Sequence, residues 1–441
     1  MSEIAAAIVT GPVPTTAESV PFRGVGVEPA PGPGLPPPSL DAAGYVEEEY
    51  FISGTVEGQP YTTALLARKP RDPGAFSGVV LVETMHAAGA TPLWGITREF
   101  LAHGHGYAMV VSQKVALDTH VQPSDLARYE SLEIPTLGER SPAGASPAVI
   151  MRETQRQGPV SHAILSQAGV LLKGNAPGGP FAGMAVERLV LGGSSQTGMT
   201  TAQFAREAHA DARLPDGSPV FDGYFPMEFG GAEPIGPCDV PVIHALGEAD
   251  IMGGRPLGYR RPDSDDPTDQ FRLYEFTGVS HVPTRGVKSV ADIFPLLENA
   301  SSPDDELSQF PGAFLYYTAF HNLIRWVGEG ITPPRGDRIE TGADGEILRD
   351  EHGNARGGVR LSYVDVPFAT YLARAPGEDP FRGMIGLQVP FPRQKLVELY
   401  GTHDAYVARV KKRVDELVTE GWILPEHADE LRAEAEQSDI P

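Results

Sequence analysis

A serine, a carboxylate and a histidine follow one another as Ser195, Asp250 and His281, at separations of 55 and 31 residues. A serine hydroxyl is a weak nucleophile near neutral pH. It needs an imidazole to take its proton and a third group to hold that imidazole. Ser195 has suitable surroundings: an apolar run over 186–191 ends at Gly192 and Gly193, and 196–209 has a helical pattern. Strand, tight glycine turn, serine and helix make the sequence form of a nucleophile elbow, where the backbone doubles back and needs small neighbours. With Ser195 at the apex, the positions two residues away are Gly193 and Thr197, with Gly198 next. With Ser194 they would be Gly192 and the bulky Gln196. The spacing therefore selects Ser195, although Thr197 stands where G-x-S-x-G has its second glycine. A plain connecting or phosphate-binding Gly-Ser turn is the simpler alternative for this motif by itself.

The partners fall where such a nucleophile needs them. The buried run 241–246 ends in Gly247-Glu248-Ala249-Asp250, and the run 271–277 ends in Gly278-Val279-Ser280-His281. Both are loops just past a strand, in the order serine, acid, histidine. Asp250 is the favoured acid, and Glu248 is the runner-up through its longer side chain. An oxyanion needs two donors: the backbone N–H of Gln196, and one from the loop after Glu83, within Met85, His86 and Ala87. His86 and Trp94 are candidates to line the pocket. The chemistry implied is acyl transfer through a covalent serine intermediate, without cofactor or metal. The pair His103 and His105 looks metal-like but lacks a third ligand in the sequence. His244 reads as a core residue, Arg356 and Arg360 as parts of solvated turns, and 350–354 lacks calcium-loop spacing.

The elements that must position these residues alternate between strand and helix. Residues 45–54 and 61–67 read as a hairpin turning at 57–60. Strands are expected over 78–83, 107–112, 186–191, 220–229, 240–246 and 271–277, with helices near 92–103, 161–172, 196–209 and 314–328. Continuous apolar runs alternating with helices predict an α/β fold with a mostly parallel sheet, whose ligands lie at the carboxyl ends of the strands. Residues 1–40 read as a proline-rich extended lead-in, 41–330 as the catalytic core, and 331–441 as a loop-rich, helical extension, with 393–436 helical. The turn-rich stretches 114–147, 251–270 and 283–310 are candidates for a lid.

The 441 residues carry 58 acidic and 35 basic side chains, a net charge of −23, without the basic cluster that a nucleic acid or anionic membrane surface would need. The single cysteine, Cys238, leaves no intrachain disulfide and no cysteine-based zinc site. Residues 4–9 lack the flanking Lys or Arg of a signal peptide, and no stretch reaches the ~20 apolar residues of a membrane span. A cytoplasmic protein with a small-molecule partner is expected; the sequence leaves its oligomeric state open.

Together these stretches identify a resemblance. Gly193-Ser194-Ser195-Gln196-Thr197-Gly198 resembles the G-x-S-Q-S-G elbow of a large bacterial α/β-hydrolase-domain family. GYVEEEYF at 44–51, Val82-Glu83, GYAMVVSQ at 106–113, Phe221-Asp222-Gly223 and 353–367 are similar too, so the likeness runs from about residue 40 to the C-terminus. Thr197 replaces Ser, and 84–88 read TMHAA where Trp-Leu-Asn is expected, which points to a different acyl pocket. The resemblance implies an α/β-hydrolase fold and a serine hydrolase acting on carboxylic esters. It leaves the substrate open. Acyl transfer to an alcohol, amide or thioester hydrolysis, and a non-catalytic binding protein are the other readings of the same residues.

Overall fold

The computed structural model describes residues 4–25, 39–137, 147–174, 176–251, 257–287, 289–290, 297–377, 379 and 381–441. The proline-rich stretch 28–38, and parts of each candidate lid (138–146, 252–256, 288 and 291–296), lie outside them.

Ten strands form one sheet: β1 (Ile8–Thr10), β2 (Tyr45–Val56), β3 (Gln59–Pro70), β4 (Val79–Thr84), β5 (Gly106–Val110), β6 (Arg188–Ser194), β7 (Gly223–Met227), β8 (Val242–Gly247), β9 (Ser264–Asp266) and β10 (Asp269–Phe276). Their order is β1-β2-β3-β5-β4-β6-β7-β8-β10-β9. The six strands from β5 to β10 in that order run parallel, and antiparallel strands complete both sides. The parallel strands are the apolar runs of the sequence because helices cover both faces: every residue of β4, β7 and β8 is buried. The hairpin β2–β3 is longer than the sequence pattern suggests. Only Glu57 and Gly58, both at positive φ (50° and 77°), form its turn, the conformation a tight two-residue hairpin favours.

The helices that matter for the site are α1 (Gly158–Lys173), α2 (Gln196–Gln203, continuing as a wider turn through Ala208) and α3 (Ala313–Glu329). Successive residues of a strand face opposite sides, and β6 shows which helix lies where. A Cβ on Gly192 would meet Leu93 of the turn Pro92–Ile96, whereas one on Gly193 would meet Thr197 and Thr201 of α2. The Pro92–Ile96 turn packs with α3 on one face, and α2 packs with α1 on the other. In-register pairing sets Ser194 beside Met227, Met227 beside Ala245, and Gly247 beside Phe276. The ends of β6, β7, β8 and β10 therefore share one edge of the sheet.

Beyond α3 the chain wraps back onto this edge. Val359 bridges to Phe276 and exchanges hydrogen bonds with Glu275 and Thr277. A small antiparallel pair, β11 (Ala369–Leu372) and β12 (Leu387–Pro390), precedes the helices α4 (His403–Glu420) and α5 (Pro425–Gln437). Val410, Val414, Leu417 and Leu431 belong to the same buried cluster as the sheet residues, and Trp422 packs edge-on against Tyr274 at 5.0 Å. Among the described residues, no helix is long and apolar enough to cross a membrane.

Candidate active site

Ser195 stands between β6 and α2 with φ 56° and ψ −120°, a conformation that L-residues adopt only under constraint. The constraints are visible. The Ser195 N–H donates to the Met227 carbonyl at 3.0 Å, and the Ser195 carbonyl accepts from the Met199 N–H at 3.0 Å. A Cβ on Gly193 would lie 2.2 Å from the Thr197 carbonyl oxygen, and one on Gly198 would lie 2.1 Å from the Met227 oxygen. Backbone thus approaches backbone at both positions, which is why they are glycines. Thr197 sits where G-x-S-x-G has glycine because its hydroxyl accepts from the Ser194 N–H (3.0 Å) and donates to the Ser194 carbonyl (2.9 Å), clamping the turn.

The structure brings Ser195, His281 and Asp250 into one hydrogen-bonded chain. His281 Nε2 lies 3.0 Å from Ser195 Oγ, and His281 Nδ1 lies 2.6 Å from Asp250 Oδ1. Asp250 is fixed in turn, because its Oδ2 accepts the Gly247 N–H at 2.9 Å. Glu248 points elsewhere: its Oε2 accepts the Gly278 N–H at 2.8 Å and its Oε1 accepts from Arg349 at 2.5 Å. Burial drives the His281 pKa down, but the Asp250 charge and hydrogen bond, with the Glu228 charge added, more than offset this and raise it above the ordinary imidazole value.

The C-terminal segment braces both loops. Arg349 meets Glu248, Arg374 donates to the Ala249 carbonyl at 2.9 Å, and the Val282 N–H donates to the Met384 carbonyl at 2.8 Å.

The loop after β4 differs from the sequence expectation. Met85, His86 and Ala87 were the positions expected to supply a free backbone donor for the oxyanion, yet all three amides are engaged. Met85 N–H donates to the Val110 carbonyl (3.0 Å), His86 N–H to the Ala90 carbonyl (2.9 Å), and Ala87 N–H to the Gln196 side-chain oxygen (3.0 Å). Gln196 causes the last. Its amide also donates to Gln113 Oε1 (2.6 Å) and Thr154 Oγ1 (2.8 Å), while Gln113 donates to the Met85 carbonyl (3.1 Å), so two buried glutamines tie the elbow to the loops after β4 and β5. The loop also carries a side-chain donor on His86. His86 Nδ1 accepts the Ala88 N–H at 3.0 Å, so the neutral ring carries its proton on Nε2. Burial, followed by the charges of His281 and His120, lowers its pKa to about 4 and keeps it neutral. Trp94 lies away from the site, with its ring against the Arg68 guanidinium at 3.9 Å and Tyr107 at 4.9 Å.

Glu228 was not among the expected residues. It follows β7 at positive φ (55°) and accepts a hydrogen bond from Ser194 Oγ. Burial and the Asp250 charge raise its pKa, while His281 and Ser194 act the other way. Its one sequence signal is a carboxylate directly after the strand between the elbow strand and the acid strand. Of the remaining histidines, His244 is a core residue whose Nε2 meets the Phe229 carbonyl at 2.6 Å. Arg356 pairs with Glu340, and Arg360 with Asp350 and Asp365, as surface-turn residues do.

A mostly parallel sheet, helices on both faces and a strained serine turn at the carboxyl edge of the strands define an α/β hydrolase fold. The chain belongs to the alpha/beta hydrolase domain family, whose sequence model matches residues 9–433. Among solved structures it is similar to a Klebsiella pneumoniae chain described as a dienelactone hydrolase, at 12% identity over 52% of this chain and 85% of that one, TM-score 0.31. It is similar to a cold-adapted esterase from an Arctic intertidal metagenomic library, at 12% identity over 52% and 72%, TM-score 0.27. A rice cell wall degrading esterase from Xanthomonas oryzae is similar at 14% identity over 42% of each chain, TM-score 0.25. No curated protein matches the chain.

Proposed function

We propose that the protein is a serine hydrolase that cleaves carboxylic esters through an acyl-enzyme. The hydrogen-bonded chain from Ser195 Oγ through His281 to Asp250, set on a strained elbow, carries this reading. Ser195 Oγ attacks the ester carbonyl as His281 Nε2 takes its proton, and Asp250 holds the ring and offsets the imidazolium charge. Collapse of the tetrahedral intermediate breaks the bond to the alcohol oxygen, which takes the proton from His281. Water, activated by the same imidazole, then attacks the acyl carbonyl and releases the carboxylic acid and free Ser195.

For the oxyanion, the first donor is the Gln196 N–H, which as the first residue of α2 has no carbonyl partner within its helix. The second is reassigned from the backbone of Met85–Ala87 to the side chain of His86, whose Nε2–H has no hydrogen-bond partner among the described residues. The reading is tested with p-nitrophenyl esters of increasing acyl length beside matched anilides and thioesters. Turnover of at least one ester, with the corresponding anilide much slower, is expected. Turnover of anilides or thioesters but no ester would overturn the ester assignment.

Glu228 sets a pH dependence. The base works only as neutral imidazole, so kcat/KM rises with pH through the His281 pKa, and this limb lies above the ordinary value of about 6.5. Glu228→Gln removes an anion that favours the imidazolium. The limb is then expected to move to lower pH, by up to about one unit. A Glu228→Gln profile with an unmoved limb would show that the carboxylate does not act on His281.

A further inference from the structure

We propose that Glu99, His103 and His321 form a binding site for one divalent transition-metal ion of the zinc type, apart from the Ser195 site. Glu99 lies in the short helix Thr97–Ala102, and the His103 N–H donates to the Glu99 carbonyl at 3.3 Å, so the helical path carries both side chains onto one face. His321 arrives from α3. Its Nδ1 lies 3.0 Å from Glu99 Oε1, and His103 Nε2 lies 3.4 Å from the same oxygen. All three donor atoms fall within 4.8 Å of one another.

Burial gives the cluster its direction. The Glu99 side chain is 2% exposed, whereas those of His103 and His321 are 39% and 26% exposed. A carboxylate therefore forms the floor, and two imidazoles form walls open to water. A buried carboxylate is costly unless something answers its charge. Among the described residues, its ion-pair partners are these two rings, with no Lys or Arg. Two nitrogens and one oxygen, with a fourth position open to water, make a ligand set that zinc accepts; calcium or magnesium would need more oxygens.

His105, the other half of the pair seen in the sequence, is not a ligand. Its Nδ1 meets Ser77 Oγ at 2.7 Å, and its ring lies alongside that of His103 at 5.8 Å. The missing third ligand comes from α3, which the sequence pattern could not place beside His103. A bound ion would pin the helix that follows the His86 loop to α3, where the Tyr317 hydroxyl already donates to the Gly95 carbonyl at 3.1 Å. The site does not depend on the reading of Ser195.

The test strips the full-length protein with a chelator and titrates Zn²⁺ by calorimetry, with thermal melting alongside. It compares wild type, His103→Ala, His321→Ala and Glu99→Gln. Expected are one tight equivalent and a raised Tm in wild type, with affinity falling at least about tenfold in each variant. If Glu99→Gln fails to fold, His103→Ala, at a partly exposed helix end, still decides the matter. Absence of a tight equivalent in wild type, or an unchanged equivalent in both histidine variants, would overturn the proposal.

Discussion

Replacing Ser195 with alanine is expected to lower kcat on an active ester by about 10⁴- to 10⁶-fold, with folding and substrate affinity retained. In the proposed triad the nucleophile, base and acid act as a unit, so losing the atom that forms the covalent bond removes nearly all that the unit contributes. The oxyanion donors and the pocket keep their small residual effect. Ser194→Ala is the matched control. Its hydroxyl turns toward Glu228, not His281, so kcat is expected to stay within about tenfold of wild type. Steady-state kinetics on both variants, beside their circular dichroism, separates the two serines. A Ser194 variant as inactive as the Ser195 variant would mean that the elbow apex is misassigned.

Asp250→Asn is expected to cost about 10⁴-fold in kcat. Both Asp250 oxygens are acceptors in use, one for the Gly247 N–H and one for His281 Nδ1–H. Asparagine keeps a single acceptor. If that oxygen turns to Gly247, its NH₂ faces Nδ1 and forces the imidazole proton onto Nε2, where it blocks the Ser195 hydroxyl. If it turns to His281, a donor faces the Gly247 amide and the turn is strained. Glu248→Gln should behave differently. Glu248 accepts from Gly278 and Arg349, so its loss weakens the turn by about 1–3 kcal/mol in stability while kcat changes little. Denaturant unfolding and kinetics on the pair distinguish the roles. A large kcat loss in Glu248→Gln with Asp250→Asn near wild type would reverse them.

What could be read from the sequence was whatever is enforced between neighbours along the chain. Gly193, Ser195 and Gly198 are legible because backbone crowding in a tight turn acts within a few residues. The strand runs of β4 and β8 are legible because burial on both faces favours nearly continuous apolar stretches. The loop after β4 was not legible in the same way. Whether the Ala87 amide is free depends on a glutamine 109 residues away, and no local pattern encodes that distance. Glu228 escaped notice because a lone carboxylate after a strand has no signature until β7 is placed beside β6 and β8. The terminal stretch is a third case. Arg349 and Arg374 look like surface arginines in a loop-rich extension, but the fold turns them onto the Glu248–Asp250 segment. Long-range closure of the chain, rather than composition, gives them that position.

A fluorophosphonate probe offers the most direct measurement, because it forms a covalent adduct only with a serine activated by a base. Intact wild-type protein, Ser195→Ala and His281→Ala are treated in parallel, and the adduct is mapped by peptide mass spectrometry. The expected result is a single adduct on Ser195, absent in Ser195→Ala and much slower to form in His281→Ala. No adduct on folded wild-type protein, or an adduct on Ser194, would contradict the assignment of Ser195, His281 and Asp250 as a catalytic triad.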